Sequence, residues 1–213
     1  MKAVKFHTVY GGIALACLLF LVMAHTSYSQ EGFKLVIPRF DKGTFVSSNQ
    51  YVLNRFMEIL AVGSKTEIVG PELAKYELEK KGLNLDSDSR LKDMLEMGRE
   101  LGGDLVLWGG VEKREITMKR GLSIPYIFTK YQHQAEIKVS LKIFDLKKGE
   151  MVLAKSFDAF TSGDKGTAWF VHPEKEPDRK LSPLEQDKLL REAEDKAATD
   201  MAKTVLKLLK KGR

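Results

Sequence analysis

The feature that most constrains the fold is a stretch of strict alternation. In residues 135–143, apolar and polar side chains alternate at every position, which is the pattern of a β-strand with one face on a core. Residues 145–149 are typical of a turn, and residues 151–160 predict a second strand. The sequence therefore predicts an antiparallel hairpin, with one side of a sheet facing an apolar interior.

Apolar periodicity and turn residues predict three strands and three helices before this hairpin. The strands are short apolar runs at residues 33–38, 66–69 and 105–108. The helices are amphipathic segments that begin near Ser48, at Pro71 and after residues 86–89. The run at 105–108 is apolar throughout and bounded by glycines, which predicts a strand buried on both faces. The Gly109-Gly110 pair beside it predicts a close backbone approach or a bulge.

A long helix is predicted at the C-terminal end of the sequence. Residues 182–185, Ser-Pro-Leu-Glu, form a capping box with proline at the first helical position. The order β-α-β-α-α-β-β-β-α predicts a mixed α/β fold, in which helices pack on a central mixed sheet. We expect a signal peptide at 1–29, a mixed α/β domain at 30–162 and a linker at 163–181. The C-terminal helix, at 182–211, is expected to pack on the same domain.

The N-terminal segment has the layout of a secretory signal peptide. Lys2 and Lys5 precede the uncharged apolar residues 11–24, and small residues lead to a cleavage site after Ser29. Cleavage there predicts a periplasmic or secreted protein. Two alternatives stay open, namely lipid attachment at Cys17 and retention of the segment as a membrane anchor. Loss of Lys2 and Lys5 lowers the formal net charge from +6 to +4, and the remaining bases are interspersed with acids, which excludes a nucleic-acid footprint.

Residue types that carry catalysis or bind metals are sparse. Beyond the signal segment the histidines are His133 and His172, and neither has a second ligand at metal-binding spacing. The serines lack a nucleophile elbow, and neither glycine-rich phosphate-loop pattern is present. We therefore expect no catalytic residue, no metal site and no cofactor, and we expect that the protein is not an enzyme.

Two apolar segments are candidates for contact with a partner. They are residues 116–131, too apolar for an idle loop, and residues 169–171, an island in the predicted linker. Aromatic side chains flanked by polar residues are typical interface anchors, although packing on the domain's own sheet stays an alternative. The candidate interaction residues are Ile116, Met118, Ile124, Tyr126, Ile127, Phe128, Tyr131, Trp169 and Phe170.

Several segments resemble a known group of envelope proteins. They are residues 35–40 (Leu-Val-Ile-Pro-Arg-Phe), 67–73 (Glu-Ile-Val-Gly-Pro-Glu-Leu), 98–110 and 143–150. These segments resemble the periplasmic domains of curli-secretion (CsgG-like) proteins, and the same outline is similar to the N-terminal domain of TolB and to lipoprotein activators of penicillin-binding proteins. The resemblance implies a Gram-negative periplasmic protein that binds other proteins or assembles with itself.

Membrane insertion of the kind used by the curli-secretion pore needs two β-hairpins per subunit. Residues 115–130 can supply one, but residues 161–181 are too charged for a second. We therefore expect a soluble or peripherally attached protein, with peripheral outer-membrane contact open.

The functional expectation is a non-enzymatic periplasmic interaction or assembly factor of the bacterial cell envelope, with outer-membrane export as one role. Its partners would be other envelope proteins or further copies of itself, and not nucleic acid. Two alternatives are a membrane-anchored envelope subunit and a small-ligand receptor or enzyme without a recognisable motif. A deep pocket with converging polar groups would favour the receptor or enzyme.

Overall fold

A computed structural model describes residues 32–40, 45–82, 91–169 and 181–211. These residues belong to one compact unit, Gly32–Arg213. The predicted signal peptide, with Cys17 in it, lies outside the described residues. Residues 170–180 of the predicted linker, including Phe170 and His172, also lie outside them.

The described residues form nine elements, which follow one another in the predicted order. The strands are β1 (Lys34–Phe40), β2 (Glu67–Val69), β3 (Leu105–Ile124), β4 (Phe128–Asp145) and β5 (Glu150–Trp169). The helices are α1 (Val46–Gly63), α2 (Pro71–Lys80), α3 (Leu91–Glu100) and α4 (Pro183–Lys211). The order β-α-β-α-α-β-β-β-α and the mixed α/β class are confirmed.

The sheet has the strand order β2-β1-β3-β4-β5. β1 runs parallel to both β2 and β3, whereas β3, β4 and β5 form an antiparallel meander. Asp104 joins the starts of β1 and β3, because its Oδ2 accepts a hydrogen bond from the Lys34 backbone N–H at 2.9 Å. Its Oδ1 lies 2.6 Å from the Lys147 ammonium in the β4–β5 turn.

Helices cover both faces of the sheet. The main core joins one face, which carries Leu35 and Ile37, to α1 and α4. Val36, which points to the opposite face because side chains alternate along a strand, packs with Val69 of β2 and Ala74 of α2. α3 lies on that second face as well, since a Cβ at Gly98 would lie 2.1 Å from the Val106 side chain.

The predicted close approach beside the buried strand is confirmed at Gly109. A Cβ there would lie 2.1 Å from the carbonyl oxygen of Ser140 on β4. Leu105, Val106 and Leu107 just before it are buried, as the run of apolar residues predicts. Glycine at 109 therefore allows β3 and β4 to pair at normal spacing.

The capping box of α4 is confirmed. The Ser182 backbone N–H donates to Glu185 Oε2 at 2.8 Å, and the Glu185 N–H donates to Ser182 Oγ at 3.3 Å. The buried face of α4 is rich in alanine and includes Ala193, Ala197 and Ala198. These small side chains let the helix lie close to the sheet.

Three sequence-based boundaries are corrected, and the first is that the strand predicted at 105–108 continues to Ile124. The strand predicted at 151–160 continues to Trp169, so residues 163–169 of the predicted linker belong to β5. The strand predicted at 135–143 begins at Phe128. The reason is shared, because β4 pairs with β5 as far as Phe128 and Trp169, and long-range backbone pairing keeps charged and glycine-rich segments in strands that local composition does not predict.

Candidate interaction surface

The meander extends beyond the packed core as a three-stranded arm, which we define as residues 117–124, 128–134 and 162–169. At its base, Thr117 pairs with Gln134, and Gln134 pairs with Ser162. Lys113, just before the arm, contacts Glu115 at 2.6 Å and Glu136 at 2.8 Å. Hydrogen bonds from Lys113 to Glu115 and then Glu136 raise the pKa of the Lys113 ammonium.

A tight turn closes the arm between β3 and β4. The Ile127 N–H donates to the carbonyl oxygen of Ile124 at 3.1 Å, across Pro125 and Tyr126. Proline suits the second position of such a turn, whereas the third position takes a positive φ and usually holds glycine. Tyr126 occupies it with a φ of 62°. A bulky residue in this region carries backbone strain, and such strain is frequent at functional sites.

The strand register gathers distant candidates at the end of the arm. Ile124 pairs with Phe128, and Phe128 pairs with Trp169. Directly paired residues place their side chains on the same face of a sheet, so these three form one row. The Phe128 and Trp169 ring centroids lie 5.7 Å apart at an interplanar angle of 56°. With Tyr126 and Ile127 of the turn, this row forms what we name the tip cluster.

Exposure distinguishes the tip cluster from an ordinary core. Trp169 is 63% exposed and Tyr126 is 64% exposed, while Ile124 and Ile127 are also open to solvent. Leu122 joins them as another exposed apolar side chain. Leu122 lies in the predicted apolar segment 116–131, but it is not among the candidate interaction residues. Nothing in the local sequence distinguishes it from its neighbours.

Three candidate residues lie elsewhere. Ile116 pairs with Ala135 and packs against the main core, and Met118 pairs with His133 and is partly buried. Tyr131 is only 4% exposed, so the prediction that it lies on an exposed interaction surface is wrong. The reason is the residue opposite, Gly166, because a Cβ there would lie 2.1 Å from the Tyr131 ring. The ring occupies the space above the glycine. Phe170 lies outside the described residues.

Three basic side chains of the arm lie behind the tip. Lys119, Arg120 and Lys130 are exposed on β3 and β4. An apolar tip with a basic margin suits a partner that offers an apolar patch with acidic groups around it.

The described ranges hold neither a cluster of metal ligands nor a helix able to cross a membrane. Within them, no group of three or more histidine, cysteine, aspartate or glutamate side chains is arranged to hold a metal ion. His133 instead meets the Tyr131 ring edge-on, with centroids 6.1 Å apart. None of the described helices combines the length and apolar composition needed to cross a membrane.

Comparison with known proteins gives distant structural likenesses. No protein-family model matches the chain, and no curated protein sequence matches it significantly. Lipoprotein GNA1162 from Neisseria meningitidis aligns with a TM-score of 0.43 and 13% identity, over 62% of this chain and 83% of that one. The LpoB C-terminal domain from Salmonella enterica has a TM-score of 0.37 and 15% identity, over 66% of this chain and 92% of that one.

A third likeness is to the PelC dodecamer from Paraburkholderia phytofirmans. Its TM-score is 0.34 and its identity 14%, over 76% of this chain and 83% of that chain. Values this low transfer no function from these proteins to this chain.

Proposed function

We propose that this chain is a non-enzymatic periplasmic interaction or assembly factor of the bacterial cell envelope, which binds its protein partner through the tip cluster. The partner is another envelope protein or a second copy of the chain, and outer-membrane export is one process that such a contact would serve. The observation that carries the proposal is the row Ile124, Phe128 and Trp169 beside the exposed turn.

The composition of the tip supports binding to protein. Aromatic side chains are enriched in interface hot spots, because they bury a large area at a small entropic cost. Here Tyr126 and Trp169 are mostly exposed at the end of an arm. Contiguous exposed apolar groups on a folded chain mark a surface that another molecule covers.

The strained turn gives independent support. At the position of Tyr126, glycine would relieve the strain of the positive φ, yet the sequence has a large aromatic residue there. A residue that works against local stability is consistent with a role in binding.

The proposed periplasmic localisation rests on the sequence. Residues 1–29 have the layout of a signal peptide, and the quoted segments resemble those of CsgG-like and TolB-like periplasmic domains. N-terminal sequencing of the protein from its native envelope tests this localisation. A chain that begins at Gln30 supports the proposal, whereas an uncleaved N-terminus favours the membrane-anchored alternative.

Affinity capture from the native envelope tests the binding role. The double variant Ile127→Ser with Trp169→Ser should lose the captured partner at an unchanged melting temperature, because both side chains are already exposed. The matched control is Val62→Ser with Leu184→Ser, which removes two exposed apolar side chains from helices. A collapsed melting transition in the tip variant would instead assign the cluster to the core, and equal loss by the control would exclude a specific tip contact.

A further inference from the structure

A cleft of about 970 Å³ opens at the end of the sheet where β1 and β2 finish, and its lining includes no residue of the arm. Its walls come from the last residues of β1, the first half of α1, and the segment from β2 into α2. This volume lies within the range of small-molecule sites in proteins. The cleft is separate from the surface that we assign to the protein partner.

The topology explains why a cleft forms at this position. β1 and β2 are parallel neighbours, so their carboxyl ends lie together at one edge. α1 follows β1 and packs on one face of the sheet, whereas α2 follows β2 and packs on the other. Adjacent parallel strands whose connections leave toward opposite faces form a crevice, and open α/β sheets bind ligands in such crevices.

The inner wall of the cleft is apolar. Leu53 and Met57 line it from α1, and Ile68 lines it from β2. The rim of the cleft also carries exposed apolar side chains, namely Val46 of α1 and Leu73 of α2, which is 49% exposed. Such walls favour a ligand with an apolar body.

Asn49 gives the cleft a buried hydrogen-bond donor. This residue lines the cleft and is only 2% exposed. Its Oδ1 accepts a hydrogen bond from the Val111 backbone N–H at 2.7 Å, just where β3 extends past the end of β1. Its Nδ2 has no hydrogen-bond partner among the described residues. Buried amide groups in proteins are nearly always paired, so a ligand with an acceptor group would complete this site.

The start of α2 favours an anionic group in the cleft. α2 begins in the cleft wall, and Gly70 at its N-cap supplies no side-chain cap to the first N–H groups. The start of a helix attracts negative charge. The cleft lining also includes Arg39, Glu72 and Lys75, and the Lys75 ammonium lies 3.8 Å from Glu79 of the same helix.

We infer that this cleft binds a small amphipathic carboxylate, with its apolar body between Leu53 and Leu73 and its carboxylate near Asn49 and the start of α2. The inference goes beyond the proposed protein contact and does not depend on it. It assigns the chain a second binding site, of the kind that a small-ligand receptor has.

Sodium decanoate is the probe, and ¹H–¹⁵N NMR of the purified protein locates where it binds. We expect saturable shifts of the Glu72 and Leu73 backbone signals and of the Asn49 side-chain amide. The Tyr126 and Ile127 signals report adsorption to the exposed arm. Decyltrimethylammonium, with the same chain length and the opposite charge, should bind at least about tenfold more weakly.

Paired variants distinguish binding in the cleft from nonspecific adsorption of decanoate. Leu73→Glu places a carboxylate on the exposed rim and should weaken decanoate binding at least about tenfold. Leu91→Glu is the matched control, because Leu91 is 41% exposed on α3, and it should leave the affinity unchanged. Asn49→Asp removes the unpaired donor and keeps the acceptor for Val111, and it should also weaken binding. Since Asn49→Asp buries a charge, Leu73→Glu decides the test if that variant does not fold.

Three outcomes would overturn the inference. They are shifts confined to Tyr126 and Ile127, equal affinity for the cationic and anionic probes, and equal affinity in Leu73→Glu and Leu91→Glu. Loss of partner capture in the tip variant would leave this test unaffected, so the proposed tip contact and the proposed cleft site are tested independently.

Discussion

An ion cluster around the buried carboxylate of Glu194 joins β3 to α4 just before the arm begins. Glu194 of α4 is fully buried, and its Oε1 accepts from Arg114 Nε of β3 at 3.1 Å. Its Oε2 accepts from Arg191 Nη1, also at 3.1 Å. The Arg191 guanidinium lies 4.2 Å from the centroid of the Tyr51 ring on α1, so one carboxylate ties three elements together.

Arg114→Met should destabilise the fold strongly. Methionine keeps most of the aliphatic volume, but the buried carboxylate of Glu194 loses its cation from the sheet and retains only Arg191 of its own helix. Removing one partner of a buried pair costs about 3–5 kcal/mol, and because one arginine remains, the expected loss is about 3 kcal/mol. At about 2–4 °C per kcal/mol for a domain of this size, the melting temperature should fall by about 6–12 °C.

Urea unfolding followed by circular dichroism measures this loss. The double variant Arg114→Met with Glu194→Met removes both charges, and it should return to within about 1 kcal/mol of the wild type. Arg99→Met, at an exposed position on α3, is the control and should cost less than about 0.5 kcal/mol. A loss below about 1 kcal/mol for Arg114→Met, or a double variant less stable than either single variant, would refute a buried pair.

Three further changes probe single contacts. Ser182→Ala should cost about 1 kcal/mol and speed hydrogen exchange in the first turn of α4, because it removes the capping box; unchanged exchange would contradict this. Gly109→Ala should cost about 1–3 kcal/mol in urea unfolding, since its Cβ would meet Ser140, whereas Gly121→Ala, with its nearest contact at 3.7 Å, should cost under about 0.5 kcal/mol; equal costs would argue against the close approach. Burial alone would raise the pKa of Asp104. Hydrogen bonds from Lys147 and from the Lys34 backbone together outweigh this effect, so the pKa of Asp104 lies below its ordinary value. The ionised Asp104 side chain therefore stabilises the fold above the ordinary aspartate pKa of about 4, and this stabilisation is lost as pH falls through the folded-state pKa. Asp104→Asn should thus lower the melting temperature at pH 7, by an amount that shrinks in acid, and a gap independent of pH would contradict the assignment.

Local sequence signals predicted the elements because each depends on near neighbours. The alternation at 135–143 and the capping box at Ser182 both appear in the structure where expected. The lengths of β3 and β5 were not predictable in this way, because their outer halves hold charged and glycine residues. Those halves are strands only through pairing with β4.

The sites depend on contacts between distant residues. Ile124 and Trp169 meet through their shared neighbour Phe128, which no periodicity in either segment reveals. Glu194 resembles the other acids in the first half of α4, and only packing shows that it is buried against Arg114. Asn49 likewise looks like an ordinary polar residue of an amphipathic helix, although it is buried beside the end of β1.

Site-specific photo-crosslinking in the native envelope tests the interaction role most directly. A photoreactive phenylalanine derivative replaces Tyr126 at the arm tip or, as the control, Tyr76 on α2, which is 55% exposed. Position 126 should yield a discrete crosslink to one envelope protein or to a second copy of this chain, and position 76 should yield none. The absence of a product at position 126, or the same products from both positions, would contradict a partner contact at the tip.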